Sequence, residues 1–309
     1  MKYLVSKEIF IKAPVKAVFS KIVDLKEWPN WSPWAKMDPG MKNTFSKVTD
    51  EVGASQEWQG EITGTGKQEI TKIDGHKEIE FRTEFLSPFK SVSFPRFELH
   101  DQEEGTLVKW HMLGNLPWFM FPLVGMMKGF IGMDFERGLK MLKEYVETGE
   151  VLSQTKYEGI VTIEGRQYVG IRRKIQFSEI SSNMRNDFDA LMKYVSSHKL
   201  KTTGVPFTLY HVADMIKGKI EYTAGIAVAS DHHPEAPFHI GSYPTTKVLK
   251  VLHTGSYSNL ATSWTAASSW FRNKKLKKSK PALSFEFYLD NPADTPAKQL
   301  RTEILIGTR

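Results

Sequence analysis

The first half of the chain has a hydrophobic pattern that predicts strands between two helices. Polar and apolar residues alternate along residues 1–12, which predicts a first strand. A short helix follows Pro14, with Val15, Val18, Phe19 and Ile22 at helical spacing. Turn residues then separate strand-like runs at about 55–62, 66–73, 77–86, 90–100 and 105–114. A long helix closes this half, with its apolar stripe at Phe135, Leu139, Leu142 and Val146. An antiparallel sheet in this order buries one face against the last helix.

The second half repeats one pattern, and each copy predicts a strand, a helix and two strands. The first copy places strands near 167–174, 205–212 and 223–230, around a helix with apolar residues at 184, 188, 191, 192 and 195. The second copy places strands near 246–253, 280–289 and 301–307, around a helix with Leu260, Trp264, Ala267 and Phe271 on one face. Aligning Pro206 with Pro281 gives an offset of 75 residues, so His211 corresponds to Glu286. Both halves therefore predict an α+β fold.

Strand alternation divides the side chains of residues 283–290 between two faces. Leu283, Phe285, Phe287 and Leu289 share a face suited to packing on the helix. We therefore expect Glu286 and Tyr288 to point away from the helix layer. In the first copy, the corresponding face carries Phe207, Leu209 and His211. If the two copies pair about a pseudo-twofold axis, these faces meet in one central cleft.

The composition supports two folded domains and excludes several kinds of chemistry. With 309 residues, either half is long enough to bury a core. The absence of cysteine excludes disulfides and thiolate metal sites, and it favours a reducing, cytoplasmic location. The uncharged stretch 112–127 is too short to span a membrane and contains Pro117 and Pro122, so it predicts a strand end and a loop.

The net charge of +7 comes from the second half of the chain. Residues 1–150 contain 20 Lys and Arg against 22 Asp and Glu, whereas residues 151–309 contain 22 against 13. Part of this excess lies in the run 272–280, which fits either a solvated loop or a phosphate-binding patch. No helix-turn-helix, zinc-finger or RNA-binding motif accompanies it, so no specific nucleic-acid partner is predicted.

Residues 1–148 resemble the START-like superfamily that includes polyketide cyclases and dehydrases, the helix-grip fold. The resemblance is carried by EIFIKAPVKAVFSKIVDLKEWPNWSPW, by TLVKWHMLG and by DFERGLKMLKEYVE. It implies an antiparallel sheet around a long C-terminal helix, with an apolar cavity for hydrophobic molecules between them. The tryptophans of this half, among them Trp31, Trp110 and Trp118, either line such a cavity or fill a core. We expect Trp28, Trp31 and Trp34, in a loop interrupted by proline, to lie at the cavity mouth or to cover the core.

After a linker at 149–156, residues 157–309 resemble the GyrI-like small-molecule-binding domain of AraC-type and MerR-type regulators. The matching residues are 253–257 with Leu260 and Trp270, then 285–288 followed by 290–292, and finally 302–304. The resemblance implies that Glu286 is the acidic residue of a ligand pocket. It also implies a proline after the last strand, where this chain has Gly307.

A carboxylate in an aromatic cleft suits a lipophilic cation, because low dielectric strengthens Coulomb attraction and aromatic rings attract cations. Glu286, Tyr288, Tyr257, His211, Leu209 and Phe207 are therefore candidate ligand contacts in this half, as Trp31 and Trp110 are in the first half. The alternatives are an ion-paired or solvated Glu286 and a packed His211. His232, His233 and His239 suggest a metal cluster, but a polar linker between the copies explains them more simply. We predict no metal and no cofactor.

The favoured function is a non-enzymatic ligand-binding protein, acting as a sensor, sequestering protein or regulator without specific DNA binding of its own. The alternative is a hydrolase or cyclase in which Glu286 activates water and Tyr257, Tyr288 or His211 assists. A third class is a membrane-surface or interaction module that uses the basic run at 272–280. The sequence leaves open a protein partner or a homodimer.

Overall fold

A computed structural model describes residues 2–88, 90–115, 124–214, 217–229 and 233–309. The chain divides into two compact units, Met1–Ser153 and Gln154–Arg309. Trp118 and His232 lie outside the described residues. Among the helices in the described ranges, none combines the length and apolar character needed to cross a bilayer.

The first unit is a seven-stranded antiparallel sheet with one long helix, which confirms the predicted order, and the strand at Lys42–Phe45 was not predicted. Its strands are β1 (Lys2–Ile11), β2 (Lys42–Phe45), β3 (Ser55–Gly60), β4 (Gly64–Asp74), β5 (Glu78–Ser87), β6 (Ser91–Gln102) and β7 (Gly105–Asn115). They lie in the order β1-β7-β6-β5-β4-β3-β2. The helices are α1 (Val15–Val23), α2 (Trp28–Trp31), α3 (Pro33–Met37) and α4 (Val124–Thr148). The glycines at the β3–β4 junction form a tight turn, which places Gly60 opposite Gly64.

Aromatic side chains fill the core between the first sheet and α4. The ring of Trp110 on β7 stacks on Phe135 of α4 with a centroid distance of 4.1 Å. The ring centroids of Trp28 and Trp31 lie 6.2 Å and 6.0 Å from that of Trp110. Trp31 is fully buried, and its indole N–H donates to the carbonyl oxygen of Lys21 at 2.9 Å.

The expectation that residues 28–34 form an irregular loop is wrong. Most of this segment belongs to α2 and α3, and prolines occupy the first turn of each helix, where a missing N–H costs no hydrogen bond. Both short helices are anchored by indole rings, since Trp28 and Trp31 belong to the core cluster and Trp34 packs against it. The structure therefore places Trp31 and Trp110 among core side chains, and a ligand-contacting role for them stays a prediction.

The second unit is an eight-stranded sheet with two helices on one face. Its strands are β8 (Ser153–Ile163), β9 (Arg166–Gln176), β10 (Thr202–Asp214), β11 (Lys219–Val228), β12 (Phe238–Tyr243), β13 (Thr246–Gly255), β14 (Ser284–Tyr288) and β15 (Arg301–Thr308). Its helices are α5 (Ile180–Ser197) and α6 (Leu260–Asn273). The predicted repeat is present, because both copies contain the expected strand, helix and two strands.

Each copy also has one strand more than predicted. The strand order β12-β9-β11-β10-β14-β15-β13-β8 is symmetric about the β10–β14 pair. The first strand of each copy pairs with the second strand of the other copy: β8 pairs with β13, and β12 pairs with β9. β8 begins inside the predicted linker, and β12 includes His239 of the segment predicted to link the two copies.

The helices cover the sheet on either side of its centre. α5 packs on β9 and β11, and α6 packs on β13 and β15. The two central strands, β10 and β14, therefore lie beneath the gap between the helices. The opposite face carries an aromatic cluster that includes Tyr168, Phe207, Tyr243 and Phe285. Side chains from both edge strands join this cluster, so the sheet curves around it.

Candidate functional site

Glu286 lies on the central strand β14, beneath the gap between α5 and α6. It pairs with Thr208 of β10 on one side and with Ile304 of β15 on the other. The residue is only 3% exposed. A carboxyl group is therefore held at the middle of an eight-stranded sheet, which is an unusual position for a charged side chain.

Neutral donors surround the carboxyl group of Glu286. The indole Nε1–H of Trp264, on α6, donates to Oε1. The hydroxyl of Tyr288 donates to Oε2 at 2.6 Å, and the hydroxyl of Thr208 lies 2.9 Å from the Tyr288 oxygen. The phenol of Tyr210 also lies near the carboxyl group and acts to lower the pKa of Glu286. Both carboxyl oxygens are thus hydrogen-bonded, and within the described part of the chain no Lys, Arg or His forms an ion pair with Glu286.

Burial dominates the electrostatics of this group. Desolvation raises the pKa of Glu286, although hydrogen bonds from Trp264, Tyr288 and Tyr210 act in the opposite direction. Burial also raises the pKa values of Tyr210 and Tyr288 well above the usual value for a tyrosine, and the nearby carboxylate adds to this shift. Both phenols therefore remain neutral donors over the physiological range.

Aromatic rings close the site toward the gap between the helices. Tyr257 lies in the short 3-10 turn before α6, is 38% exposed, and contacts the Tyr288 ring at a centroid distance of 5.8 Å. Phe188 of α5 meets the same ring at 5.3 Å, edge to face. Trp264 contacts Tyr210 at 5.5 Å. Five aromatic side chains, from two helices, a 3-10 turn and two strands, thus surround the carboxyl group.

The predicted direction of Glu286 is wrong. Glu286 and Tyr288 face the helices, whereas Phe285 and Phe287 face the aromatic cluster on the other side of the sheet. Phe207 and Leu209 belong to that cluster, so they do not share a cleft with Glu286. Alternation correctly separates the two sets of side chains, but it contains no information about which face a helix covers when the curved sheet buries both.

His211 also lies apart from Glu286. Its Nε2 is 2.8 Å from the hydroxyl of Thr223, on the face that carries Leu209. Burial lowers the pKa of His211, and the nearby Arg172 lowers it further. The β10–β11 pairing is irregular at this position, with a register shift between Tyr210 and Val212. A role for His211 in assisting Glu286 is inconsistent with this placement.

Sequence reasoning missed four residues of the site: Thr208, Tyr210, Phe188 and Trp264. Trp264 belongs to the predicted apolar face of its helix, and it does face the sheet, since its indole reaches Glu286. A signal was nevertheless available. A buried indole N–H requires an acceptor, and Glu286, on the strand beneath this helix, offers one.

Of the three histidines in the segment between the copies, His233 and His239 lie in the described residues. Within the described ranges, no three His, Asp or Glu side chains converge. His239 lies on β12, where its ring meets that of Tyr168 at 6.0 Å.

The two halves of the chain match two ligand-binding families. Residues 3–147 match the family described as polyketide cyclase / dehydrase and lipid transport. Residues 159–309 match the GyrI-like small molecule binding domain. The two matches agree with a START-like half followed by a GyrI-like half.

Solved structures are similar to this chain at low identity. An EcmrR–DNA complex is 16% identical with a TM-score of 0.45, covering 62% of this chain and 68% of that one. The EcmrR C-terminal domain is 18% identical with a TM-score of 0.42, covering 51% and 98%. Protein MLL2253 from Mesorhizobium loti is 16% identical with a TM-score of 0.38, covering 47% and 97%. With TM-scores below 0.5, these structures say nothing about what this chain binds. No protein of curated function matches the chain.

Proposed function

We propose that the GyrI-like half binds a lipophilic cation at Glu286, and that the protein is a non-enzymatic sensor, sequestering protein or regulator. One observation carries the proposal. Glu286 is a buried carboxyl group whose hydrogen-bond partners are all neutral, so its negative charge has no counter-charge in the described residues. The proposal includes no sequence-specific DNA binding by this chain.

A cationic ligand would supply the counter-charge that Glu286 lacks. Placing a carboxylate in a low-dielectric interior costs several kcal/mol, and an opposite charge at close range offsets much of that cost. The surrounding rings add cation–π attraction, from about 0.5 kcal/mol at an exposed ring to about 2 kcal/mol at a desolvated one. A neutral molecule of the same shape would gain the apolar contacts but not the charge interaction. Charge selectivity is therefore the expected signature of the site.

Tyr257 and Trp264 are the side chains that must move for a ligand to reach the carboxylate. Tyr257 is the most exposed of the enclosing rings. The indole N–H of Trp264 is hydrogen-bonded to one of the carboxylate oxygens. We propose that the ligand displaces the indole from Oε1 and stacks against Tyr257 and Tyr288. Release of Trp264 would then couple occupancy of the site to the position of α6.

The test is a titration with tetraphenylphosphonium and with the neutral triphenylphosphine oxide, monitored by tryptophan fluorescence and calorimetry. We expect the wild type to prefer the cation and Glu286→Gln to bind it at least tenfold more weakly, a loss of about 1.4 kcal/mol or more. Glu303→Gln is the matched control, because Glu303 lies on the neighbouring strand and already forms an ion pair with Lys250. Equal affinity of both probes for the wild type, or unchanged binding in Glu286→Gln, would refute the proposal.

The second candidate function is a hydrolase or cyclase. The raised pKa of Glu286 favours it, because a carboxyl group that titrates nearer neutrality can accept and return a proton. Tyr288, at 2.6 Å from the carboxylate, would be the accompanying donor. Mass spectrometry of the recovered ligands separates the two functions, since a binding protein returns its ligand unchanged.

A further inference from the structure

The end of α6 and the segment that follows it form a strongly basic surface on the second unit. No Asp or Glu occurs between Glu235 and Glu286, whereas eight Lys or Arg residues do. The surface, here called the basic corner, consists of Lys247, Arg272, Lys275, Lys277, Lys278 and Lys280. All six are exposed, and none of them forms an ion pair with a described residue. Their positive charges therefore face solvent without a counter-charge.

Backbone hydrogen bonds hold the basic corner together. Because α6 follows β13 after a short turn and packs back on it, the end of α6 lies near the beginning of β13. Beyond the helix, Lys278 forms an antiparallel bridge with Thr308, which is also the register partner of Lys247. The N–H of Arg309 donates to the carbonyl oxygen of Lys277 at 3.0 Å. Lys247 and Lys278 thus flank one strand, about 10 Å apart across the sheet.

The first copy of the repeat has the same turn after its helix. The turn after α5 contains Lys199 at φ 51°, and the turn after α6 contains Lys275 at φ 52°. The next residues, Leu200 and Leu276, each donate their N–H to the carbonyl oxygen five residues earlier, at 3.0 Å and 3.1 Å. The two turns therefore correspond residue by residue, at an offset of 76.

This correspondence separates the charges that accompany the turn from those added to it. Both copies have a lysine at the left-handed position and another two residues later. The other cations around the turn have uncharged counterparts in the first copy: Arg272 corresponds to Ser196, Lys278 to Thr202 and Lys280 to Gly204. Cations suit the end of a helix, but α5 ends in the same way without these three. The structure of the turn therefore explains the shared lysines and leaves the added charges to be explained by a partner.

We propose that the basic corner binds the phosphate backbone of double-stranded nucleic acid without reading its sequence. Five of its six cations are lysines, which neutralise phosphates as point charges, whereas bidentate recognition of bases or carboxylates relies on arginine. The site is independent of Glu286. It is also consistent with the absence of sequence-specific DNA binding from the function proposed above.

The lack of apolar anchors argues against other partners for the basic corner. Within residues 258–309, all of which the structure describes, no large apolar side chain is exposed. Interfaces between proteins are depleted in lysine and depend on buried aromatic anchors. Peripheral membrane binding uses apolar side chains that enter the lipid, and single-stranded nucleic acid binds by stacking on aromatic rings. A duplex needs neither, because it presents its phosphates on the outside.

The experiment uses the full chain and measures the fluorescence anisotropy of labelled duplexes of about 20 base pairs in 50–200 mM salt. We expect two DNA duplexes of unrelated sequence to bind equally. The logarithm of the association constant should fall linearly with the logarithm of the salt concentration, with a slope of about −4 if four or five cations contact phosphates. An RNA duplex of the same sequence shows which nucleic acid binds more tightly.

A matched pair of double variants tests the position of the site. Lys278→Gln with Lys280→Gln removes two of the added charges, and Lys199→Gln with Lys201→Gln makes the same change in net charge at the corresponding turn. We expect the first variant to bind roughly fivefold more weakly, with a salt slope less steep by about 2. The second should bind as the wild type does. Both should unfold at the wild-type temperature, because all four lysines are exposed.

Three outcomes would overturn this inference. The first is failure of the wild type to bind either duplex in the lowest salt. The second is equal weakening by the two double variants, as expected if only the net charge of the protein attracts the duplex. The third is tighter binding to phosphatidylserine vesicles or to poly-glutamate, which would assign the basic corner to a membrane or to an acidic protein. Glu286→Gln should leave duplex binding unchanged, so failure here is distinguishable from failure at the Glu286 site.

Discussion

The two copies of the second half each bury a carboxylate, and the two carboxylates have different hydrogen-bond partners. Asp187 on α5 is 1% exposed and accepts hydrogen bonds from Arg173 at 2.9 and 3.0 Å and from Tyr222 at 2.8 Å. Glu286 on β14 is also buried, at 3% exposed, but its donors are an indole and a phenol. A carboxylate paired with a guanidinium has its charge balanced, and it ties α5 to β9 and β11. Neutral donors orient a carboxylate but do not balance its charge. We therefore assign a ligand only to Glu286.

The largest stability effect should come from Asp187. Asp187→Asn removes the charge that balances Arg173 and weakens the hydrogen bond from Tyr222. We expect the free energy of unfolding to fall by about 3 kcal/mol, in the range of hydrogen bonds to charged groups. Tetraphenylphosphonium affinity should stay within twofold of the wild type. Urea unfolding and calorimetric titration of the same samples test this, and a loss of cation affinity without a loss of stability would reverse the two roles.

The next effect depends on pH and concerns Glu286. Because burial raises the pKa of Glu286 in the folded state, the folded state binds more protons than the unfolded state above the ordinary value of 4.5. The contribution of this residue to stability is therefore most favourable below that value and is lost as pH rises through the folded-state pKa. We expect Glu286→Gln to be more stable relative to the wild type at pH 8 than at pH 4, with the difference growing as pH rises through the folded-state pKa. Thermal unfolding of both proteins across this range measures the difference, and a gain independent of pH would contradict it.

The smallest effects should come from a matched pair of tyrosines. Tyr222→Phe and Tyr288→Phe each remove one hydroxyl donor from a buried carboxylate, at a cost of about 1 kcal/mol in stability. Only Tyr288→Phe should alter cation binding, because loss of its hydrogen bond raises the pKa of Glu286 further and moves the pH midpoint of binding upward. Titrations with tetraphenylphosphonium between pH 5 and 9 would show this shift. Identical pH profiles for the two variants would remove the distinction between the carboxylates.

Local patterns in the sequence predicted the elements of the fold well. The runs near 77–86 and 105–114 are strands β5 and β7, since alternation and turn residues both act over a few positions. The strand β12 was missed, because proline and histidine residues just before it suggested a linker and its pairing partner β9 lies far away along the chain. Local signals of this kind do not encode a partner supplied by the other copy.

The candidate site could be predicted only in part. Glu286, Tyr288 and Tyr257 come together as expected. Phe207, Leu209 and His211 do not join them, because the choice between the two faces of β14 depends on which face the helices cover.

The exchange of first strands between the two copies has a consequence for how the second half folds. β8 is hydrogen-bonded to β13, which begins about 80 residues after β8 ends. During synthesis, the first copy therefore emerges without β12, while β8 has no partner until β13 has been made. Neither copy is a complete sheet alone, so cutting the chain between them should give two insoluble fragments rather than two small domains. Such long-range pairing slows folding, and this half should form in a single late step once the whole chain is available.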